Sequence, residues 1–175
     1  MQLKEAISLI THKDFKPDGT QSWADLGCGS GLFTQALASI LQPKSIIYAI
    51  DTDLSAFNKI SSYNDVDIRT RQSNFITDDL KLSELDGILM ANSFHYVKNK
   101  MELLQKLHHY LKEHHSFLII EYDTDKPVST WVPYPIRFES LKKMFTESGY
   151  STVIKMNEHP SIYRGGNIYS AIIRR

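Results

Sequence analysis

The stretch SWADLGCGSGLFTQALASIL (22–41) decides the predicted fold, because it joins a short apolar strand to an amphipathic helix through three glycines. SWADL (22–26) has the length and composition of a buried strand, and the residues after the last glycine repeat apolar side chains at helical spacing. Gly27, Gly29 and Gly31 allow the backbone to turn closely around a ligand, and the helix start offers free N–H groups there. This order predicts a ligand-binding βα unit of an open α/β sheet.

The rest of the chain continues the alternation of strands and helices. Further strands are predicted at 45–50, 66–72, 85–92, 116–122, 150–156 and 167–175, and helices at 2–12, 54–63, 100–111 and 135–150. Strands separated by helices favour right-handed crossovers and a mostly parallel sheet. Only ten residues (157–166) join the last two strands, which is too few for a parallel crossover, so the final strand is expected to run antiparallel.

Composition excludes several classes of protein. The 175 residues are 42% hydrophobic, which predicts one domain over residues 1–175 with a sizeable core. Lys and Arg together number 20, as do Asp and Glu, so the basic excess of a dedicated nucleic-acid-binding protein is missing. The single cysteine, Cys28, rules out an intramolecular disulfide. With no apolar run of about 18 residues and no secretory signal, we expect a cytoplasmic protein with no membrane or nucleic-acid partner.

The spacing of the glycines argues against two familiar nucleotide sites. The dinucleotide fingerprint is G-x-G-x-x-G, whereas the third glycine of this chain, Gly31, arrives one residue early. A phosphate-binding loop needs a lysine after its last glycine, and Leu32 stands there. An NAD-dependent reductase is therefore the weaker hypothesis for this turn.

ADLGCGSG (24–31) resembles the first motif of the class I S-adenosylmethionine-dependent methyltransferases, including type 11-like members, with the pattern (D/E)-x-G-x-G-x-G. IIYAIDTD (46–53), LDGILMANSFHYV (85–97) and HHSFLIIEYD (114–123) are similar to the family's second-, fourth- and fifth-strand motifs. The resemblance implies a Rossmann-like, doubly wound, mostly parallel seven-stranded sheet with helices on both faces. It also implies S-adenosylmethionine as methyl donor, S-adenosylhomocysteine as product, and no metal.

The same resemblance assigns the methyl donor to residues at several strand ends. Asp51 comes 20 residues after Gly31 and would accept both ribose hydroxyls, while Asp25 would face the ammonium group. Asn74 would reach the adenine amino group and Phe75 would pack on the adenine face, although both could be ordinary loop residues. The expected donor-binding residues are Asp25, Gly27, Cys28, Gly29, Gly31, Asp51, Thr52, Asn74, Phe75, Ala91 and Asn92.

The methyl acceptor is expected to be a small molecule. The chain has ANSFHY after the fourth strand instead of the N-P-P-Y type motif of amide and exocyclic-amine methyltransferases. The helix 2–12 and the aromatic segment 123–138 are expected on the substrate side. His95 and Tyr134 are candidate catalytic residues, with Tyr163 and Arg164 weaker candidates in the last hairpin; Trp131 and Arg137 could line the acceptor pocket.

Several alternatives stay open at this stage. A base is needed only if the acceptor must lose a proton, so the attacking atom (O, N, C or S) is undetermined. His95 could be a plain loop histidine, and the protein could be a monomer or a homodimer. A non-catalytic module that binds S-adenosylmethionine or S-adenosylhomocysteine and acts through a partner is the second hypothesis.

Four histidines near a predicted helix end raise the question of a metal site. No cysteine or acid completes a zinc pattern with them, so a solvated helix terminus is expected instead. The four residues are His108, His109, His114 and His115.

Overall fold

The computed structural model describes residues 1–53, 55, 57, 60, 62–127, 130–161 and 166–175. The strands within these residues are β1 (Ser22–Leu26), β2 (Ile46–Asp51), β3 (Asp67–Gln72), β4 (Leu85–Ala91), β5 (Leu111–Tyr122), β6 (Thr152–Pro160) and β7 (Asn167–Arg174). The α-helices are α1 (Leu3–Ile10), α2 (Leu32–Ala38), α3 (Lys100–His108) and α4 (Phe138–Glu147). A 3-10 turn, Phe94–Tyr96, follows β4.

All seven strands join one sheet in the order β3-β2-β1-β4-β5-β7-β6. β1 to β5 pair in parallel, whereas β7 lies between β5 and β6 and runs antiparallel to both. This confirms the predicted doubly wound sheet with an antiparallel last strand. The strand order reverses between β1 and β4, and at such a point of an open α/β sheet ligands bind in the crevice beyond the carboxyl ends of the strands.

Each face of the sheet carries its own hydrophobic core. One core packs α3 and α4 against the sheet, with Leu104 and Leu141 as members. The other packs α1 and α2, with Leu9 and Leu37. Because the strands in the middle of the sheet are covered on both faces, SWADL is almost continuously buried, as a central parallel strand requires.

A close contact sets the spacing of β1 and β4. Trp23 pairs with Gly87 across these strands, and a Cβ on Gly87 would lie 2.5 Å from the Trp23 ring. No real Cβ approaches another atom so closely, so glycine at position 87 makes room for the indole ring. This packing holds together the two strands whose ends form the crevice.

Several element bounds differ from the predicted ones. β5 begins at Leu111 rather than at 116, because a bulge lets Leu111 pair with Leu85 before the apolar run starts. β6 extends to Pro160, so the connection to β7 is shorter than ten residues. α4 begins at Phe138, whose N–H donates to Asp123 Oδ1. The predicted helix 54–63 lies largely outside the described residues.

The predicted solvated histidine terminus is wrong for two of its four members. His115 is buried in β5, and its Nε2 lies 2.9 Å from the Tyr150 hydroxyl oxygen. His108 Nε2 lies 2.6 Å from the same oxygen. The sequence suggested a helix end because the start of β5 is polar. Within the described part of the chain, no group of His, Cys, Asp and Glu residues could hold a metal ion, and no helix is long and apolar enough to cross a membrane.

Candidate functional site

The turn between β1 and α2 wraps around the end of β2. The N–H groups of Gly27 and Cys28 both donate to the Ile50 carbonyl, at 2.8 and 3.1 Å. Gly27 has φ +78°, and a Cβ at this position would lie 2.6 Å from Ser93 Cβ. Ser93 Oγ in turn donates to the Leu26 carbonyl at 2.5 Å. These contacts pack the glycine turn closely against the segment that follows β4.

Asp51 lies at the end of β2 and receives two backbone N–H groups. Its Oδ2 accepts from Gly29 at 2.8 Å, and its Oδ1 accepts from Asp53 at 3.0 Å. A carboxylate oxygen can accept two hydrogen bonds, so each oxygen keeps one acceptor position. The side chain is held in place and can still accept from a pair of adjacent hydroxyls, such as a ribose diol.

Asp25 is a buried carboxyl group with one unpartnered oxygen. Its Oδ2 accepts from the Thr34 hydroxyl at 2.6 Å, while Oδ1 is buried and has no partner among the described residues. Burial raises the pKa of Asp25 to about 7; the Thr34 hydrogen bond opposes this shift and the Asp51 charge adds to it. A cation placed here would favour the ionised carboxylate and complete its hydrogen bonding.

Asn92 supplies a second unpartnered acceptor at the same edge of the sheet. Its φ is +54°, in the left-handed region that asparagine tolerates better than most residues. Its N–H donates to the Ile120 carbonyl at 2.8 Å, whereas the buried Oδ1 has no partner in the described structure. A buried acceptor without a donor is costly, so this atom also fits a ligand that brings an N–H group.

Three further predicted donor-binding residues, Phe75, Asn74 and Thr52, have different surroundings. Phe75 is buried, with Cε1 3.5 Å from the position of a Gly27 Cβ, so its ring lies beside the glycine turn. Asn74 Oδ1 already accepts from the Ile76 N–H at 2.9 Å. Thr52 is exposed, and its carbonyl accepts from Gln72 Nε2 at 3.0 Å.

The remaining predicted donor-binding residues are Cys28, Gly31 and Ala91. Burial raises the pKa of the Cys28 thiol, which disfavours a thiolate nucleophile. A Cβ on Gly31 would overlap Ile60, so this glycine packs directly against the connection from β2 to β3 with no room for a side chain. Ala91 is the last residue of β4 and is half-buried.

His95, a candidate catalytic residue, is paired with a carboxylate that the sequence interpretation missed. His95 Nδ1 lies 2.7 Å from Glu121 Oε2, and the His95 N–H donates to Glu121 Oε1 at 3.0 Å. Glu121 is fully buried. A charged residue inside the apolar run SFLIIEY was the available signal, because a buried charge requires a partner. Thr34 and Ser93 were missed as well, since hydroxyl residues give no pattern of their own.

The segment after β5 also reaches His95. The Tyr134 N–H donates to the His95 carbonyl at 3.0 Å, and Lys100 Nζ donates to the Tyr134 carbonyl at 2.7 Å. The side chains of Tyr134 and Trp131 are exposed. The contact between Tyr134 and His95 is therefore one of backbones, while Tyr163 and Arg164 lie outside the described residues.

Comparisons with known proteins identify the family of the chain. The family model described as "Methyltransferase domain" matches residues 24–114, just over half of the chain. No curated protein matches the sequence. The chain belongs to the methyltransferase domain family.

Solved structures show the same fold at low sequence identity. A SAM-dependent methyltransferase from Aquifex aeolicus has a TM-score of 0.64 at 16% identity, over 99% of both chains. One from Archaeoglobus fulgidus has a TM-score of 0.68 at 16% identity, over 99% of this chain and 91% of the other. Magnesium protoporphyrin IX methyltransferase from Synechocystis PCC 6803, with bound SAM, has a TM-score of 0.67 at 10% identity, over 99% and 78%.

Proposed function

We propose that this protein transfers a methyl group from S-adenosylmethionine to a small-molecule acceptor. The observation that carries the proposal is the pair of buried acceptors without partners, Asp25 Oδ1 and Asn92 Oδ1, beside the glycine turn. Both atoms need donors, and an ammonium group brings three. The methionine end of the donor fits this part of the crevice.

Asp51 and the glycine turn suit the other end of the donor. Asp51 keeps one acceptor position on each carboxylate oxygen, which matches two neighbouring ribose hydroxyls. Phe75 beside Gly27 offers an apolar surface near the turn for the adenine. S-adenosylmethionine has no phosphate, so the missing P-loop lysine is consistent with this ligand. Its sulfonium supplies an activated methyl group, and the protein supplies position and a shielded site.

The acceptor side is assigned to elements outside the strand ends. Asn157 Nδ2 and Ser170 Oγ bond carbonyls of the last turn of α1, which fixes α1 against β6 and β7. The segment 123–138 ends beside His95 through Tyr134. We assign both elements to acceptor binding within a single domain. The neighbours' printed names, which include an O-methyltransferase and a carbon methyltransferase, are compatible with small acceptors.

Substitution of Asp51 by asparagine tests the proposal directly. Asp51→Asn keeps an acceptor for Gly29 but loses the charge and one acceptor oxygen toward the ribose. We expect at least about a tenfold loss of affinity for S-adenosylmethionine, or about 1.4 kcal/mol. The measurement is isothermal titration calorimetry on folded protein, followed by turnover of labelled donor with a metabolite panel.

Asp53→Asn is the matched control. Asp53 is an exposed carboxylate two residues away whose side chain contacts Ser55. Its substitution should leave donor affinity within about twofold, which is the size expected of a distant surface charge. Equal affinities for wild type and Asp51→Asn would refute the ribose assignment, and wild-type protein that binds no donor would refute the proposed function.

A further inference from the structure

His95 and Glu121 form a buried pair at the edge of the sheet where the glycine turn lies. His95 follows β4, Glu121 is near the end of β5, and the two strands pair in parallel up to Ala91 and Ile120. Glu121 Oε1 accepts from the His95 backbone N–H at 3.0 Å, and Glu121 Oε2 lies 2.7 Å from Nδ1 of the His95 ring. The carboxylate is therefore fixed, and the ring is fixed with it.

This contact determines which nitrogen of His95 carries the proton. An ionised carboxylate only accepts hydrogen bonds, so Nδ1 must donate to Glu121. In a neutral imidazole the other nitrogen is then an acceptor. The pairing with Glu121 makes Nε2 of His95 a proton acceptor and holds it in one direction.

His95 Nε2 is the polar ring atom that has no hydrogen-bond partner among the described residues. Among the described residues, the fully buried side-chain atoms without a partner are Asp25 Oδ1 and Asn92 Oδ1. His95 Nε2 also has no partner among these residues, so it is not fully buried. The whole residue is only 2% exposed. An atom that is neither bonded nor fully buried is the part of the ring that an incoming group can reach.

Two aromatic side chains flank the His95 ring. The Tyr96 ring centroid lies 4.4 Å from that of His95, and the Tyr122 centroid lies 6.1 Å away. Tyr96 and Tyr134 are large side chains left substantially exposed. Exposed aromatic faces beside a buried polar atom are typical of a site for a flat ligand with one polar group.

We propose that His95 is the catalytic base, that Glu121 is its positioning residue, and that the acceptor is a small aromatic compound with a hydroxyl nucleophile. The inference deepens the proposed function and rests on it. A phenolic hydroxyl, with an ordinary pKa of about 10, is almost fully protonated at neutral pH, so a base assists its reaction. A carboxylate, a thioether or a tertiary amine has no proton to lose, so His95 and Glu121 would not assist methylation of such an acceptor.

The step balances in atoms and charge. The acceptor oxygen forms a bond to the methyl carbon as the carbon–sulfur bond of the donor breaks and its electron pair stays on sulfur. The hydroxyl proton goes to His95 Nε2. The products are an aryl methyl ether, neutral S-adenosylhomocysteine and an imidazolium at His95, whose charge Glu121 balances. The ring then returns its proton to solvent.

Other ionisable groups face the pair and must be considered in a pH profile. Lys100 of α3 acts on Glu121, and burial lowers the pKa of this lysine. Tyr169 of β7 also faces Glu121, and burial raises the pKa of this tyrosine well above its ordinary value. Tyr96 and Tyr122 flank the ring itself. The pH profile is therefore measured for wild type and for variants of both members of the pair.

The test compares His95→Asn and Glu121→Gln with the control His109→Gln. Asparagine keeps a donor toward Glu121, and His109 is an exposed histidine at the end of α3. All three variants should bind S-adenosylhomocysteine within about twofold of wild type. With a panel of small phenols, His95→Asn should lower kcat by about 10²- to 10⁴-fold, the usual contribution of general-base catalysis. His109→Gln should not change kcat.

Glu121→Gln separates positioning from a purely structural role. The acidic limb of its kcat/KM profile should move toward lower pH, because the protonated ring loses its negative neighbour. Nitrogen-15 NMR of labelled histidine should show a protonated Nδ1 and an unprotonated Nε2 at about pH 8 in wild type. This measurement requires no acceptor.

Each failure has a distinct signature. Wild-type protein that binds no S-adenosylmethionine overturns the proposed function itself. Donor binding combined with a protonated Nε2, with full turnover by His95→Asn, or with transfer only to thioethers and tertiary amines overturns the base assignment alone. Donor binding without transfer to any hydroxyl acceptor overturns the acceptor class.

Discussion

Gly27 and Gly149 share a positive φ, +78° and +86°, but differ in what surrounds them. A Cβ on Gly27 would meet Ser93 Cβ at 2.6 Å, whereas nothing lies within 4 Å of a Cβ on Gly149. Alanine at either position would have to adopt the left-handed region, which lowers the free energy of unfolding by about 1–2 kcal/mol. At Gly27 the substitution would also displace Ser93, which follows β4 at the edge of the proposed site.

We therefore expect Gly27→Ala to be more damaging than Gly149→Ala. The overlap with Ser93 should add about 1–3 kcal/mol of destabilisation, as overpacked positions do. Urea unfolding of both variants measures the difference, and donor binding should be lost only in Gly27→Ala. Equal destabilisation, with binding retained in both, would show that the Ser93 contact relaxes freely.

Because burial raises the pKa of Asp25 to about 7, we expect the affinity for the donor to depend on pH. A protonated carboxyl group repels no cation but attracts none either, so the ionised form binds an ammonium group better. From about pH 5.5 to pH 7, affinity for S-adenosylmethionine should rise, by at most about tenfold per unit. Calorimetry in two buffers of different ionisation enthalpy should detect proton release on binding. Asp25→Asn should remove both effects.

At the scale of elements, His108, Tyr150 and His115 connect three parts of the fold. His108 ends α3, His115 lies in β5, and Tyr150 follows α4; the Tyr150 hydroxyl contacts both rings. His115 Nδ1 also lies 2.6 Å from the Lys112 carbonyl, so it donates there and leaves Nε2 to accept from Tyr150. This hydrogen-bond chain is complete with both rings neutral.

Stability should therefore fall in mild acid. Burial, and secondarily nearby positive charge, lowers the pKa of His108; burial likewise lowers the pKa of His115, although its backbone contacts oppose the shift. In the unfolded chain both groups return to about 6.5. Below that pH the unfolded state takes up protons first, so the free energy of unfolding decreases as pH falls. Denaturant titrations at about pH 5 and pH 7.5 measure this loss.

His115→Gln should reduce the dependence of stability on pH, whereas His109→Gln should leave it unchanged because His109 is exposed. An identical slope in wild type and His115→Gln would rule out a contribution from the buried ring.

The sequence predicted the elements of the fold better than their contacts. The order strand, glycine turn, helix at 22–41 is a local pattern, and the alternation after it predicts a parallel sheet with little ambiguity. The early start of β5 was not predicted, because its first residues are polar and a bulge separates the Leu111–Leu85 pair from the rest of the pairing with β4. The His95–Glu121 pair was not predicted, because 26 residues separate its members and the parallel pairing of β4 with β5 brings them together.

At the scale of the whole molecule, the crevice lies where the central strands of both cores end. Leu26 and Met90 belong to the core with α3 and α4, while Trp23 and Leu89 belong to the core with α1 and α2. A ligand that joins the ends of β1, β2 and β4 contacts elements that must all separate on unfolding. Its binding energy should therefore add to global stability.

S-adenosylhomocysteine should thus raise the melting temperature of the wild type. At 100 times its Kd the ligand adds about 2.7 kcal/mol, which corresponds to roughly 5–10 °C for a domain of this size. Differential scanning calorimetry measures the shift, which should be much smaller in Asp51→Asn at the same concentration. A shift produced equally by NAD would contradict the assignment of the ligand.

The position of β7 between β5 and β6 has a consequence for synthesis on the ribosome. β6 emerges before β7, yet both β5 and β6 pair only with β7 on this side of the sheet. Until β7 leaves the exit tunnel, the nascent protein carries an apolar strand edge with no neighbour, a surface that invites association with other chains. Completion of the sheet by β7 removes this unpaired edge between β5 and β6.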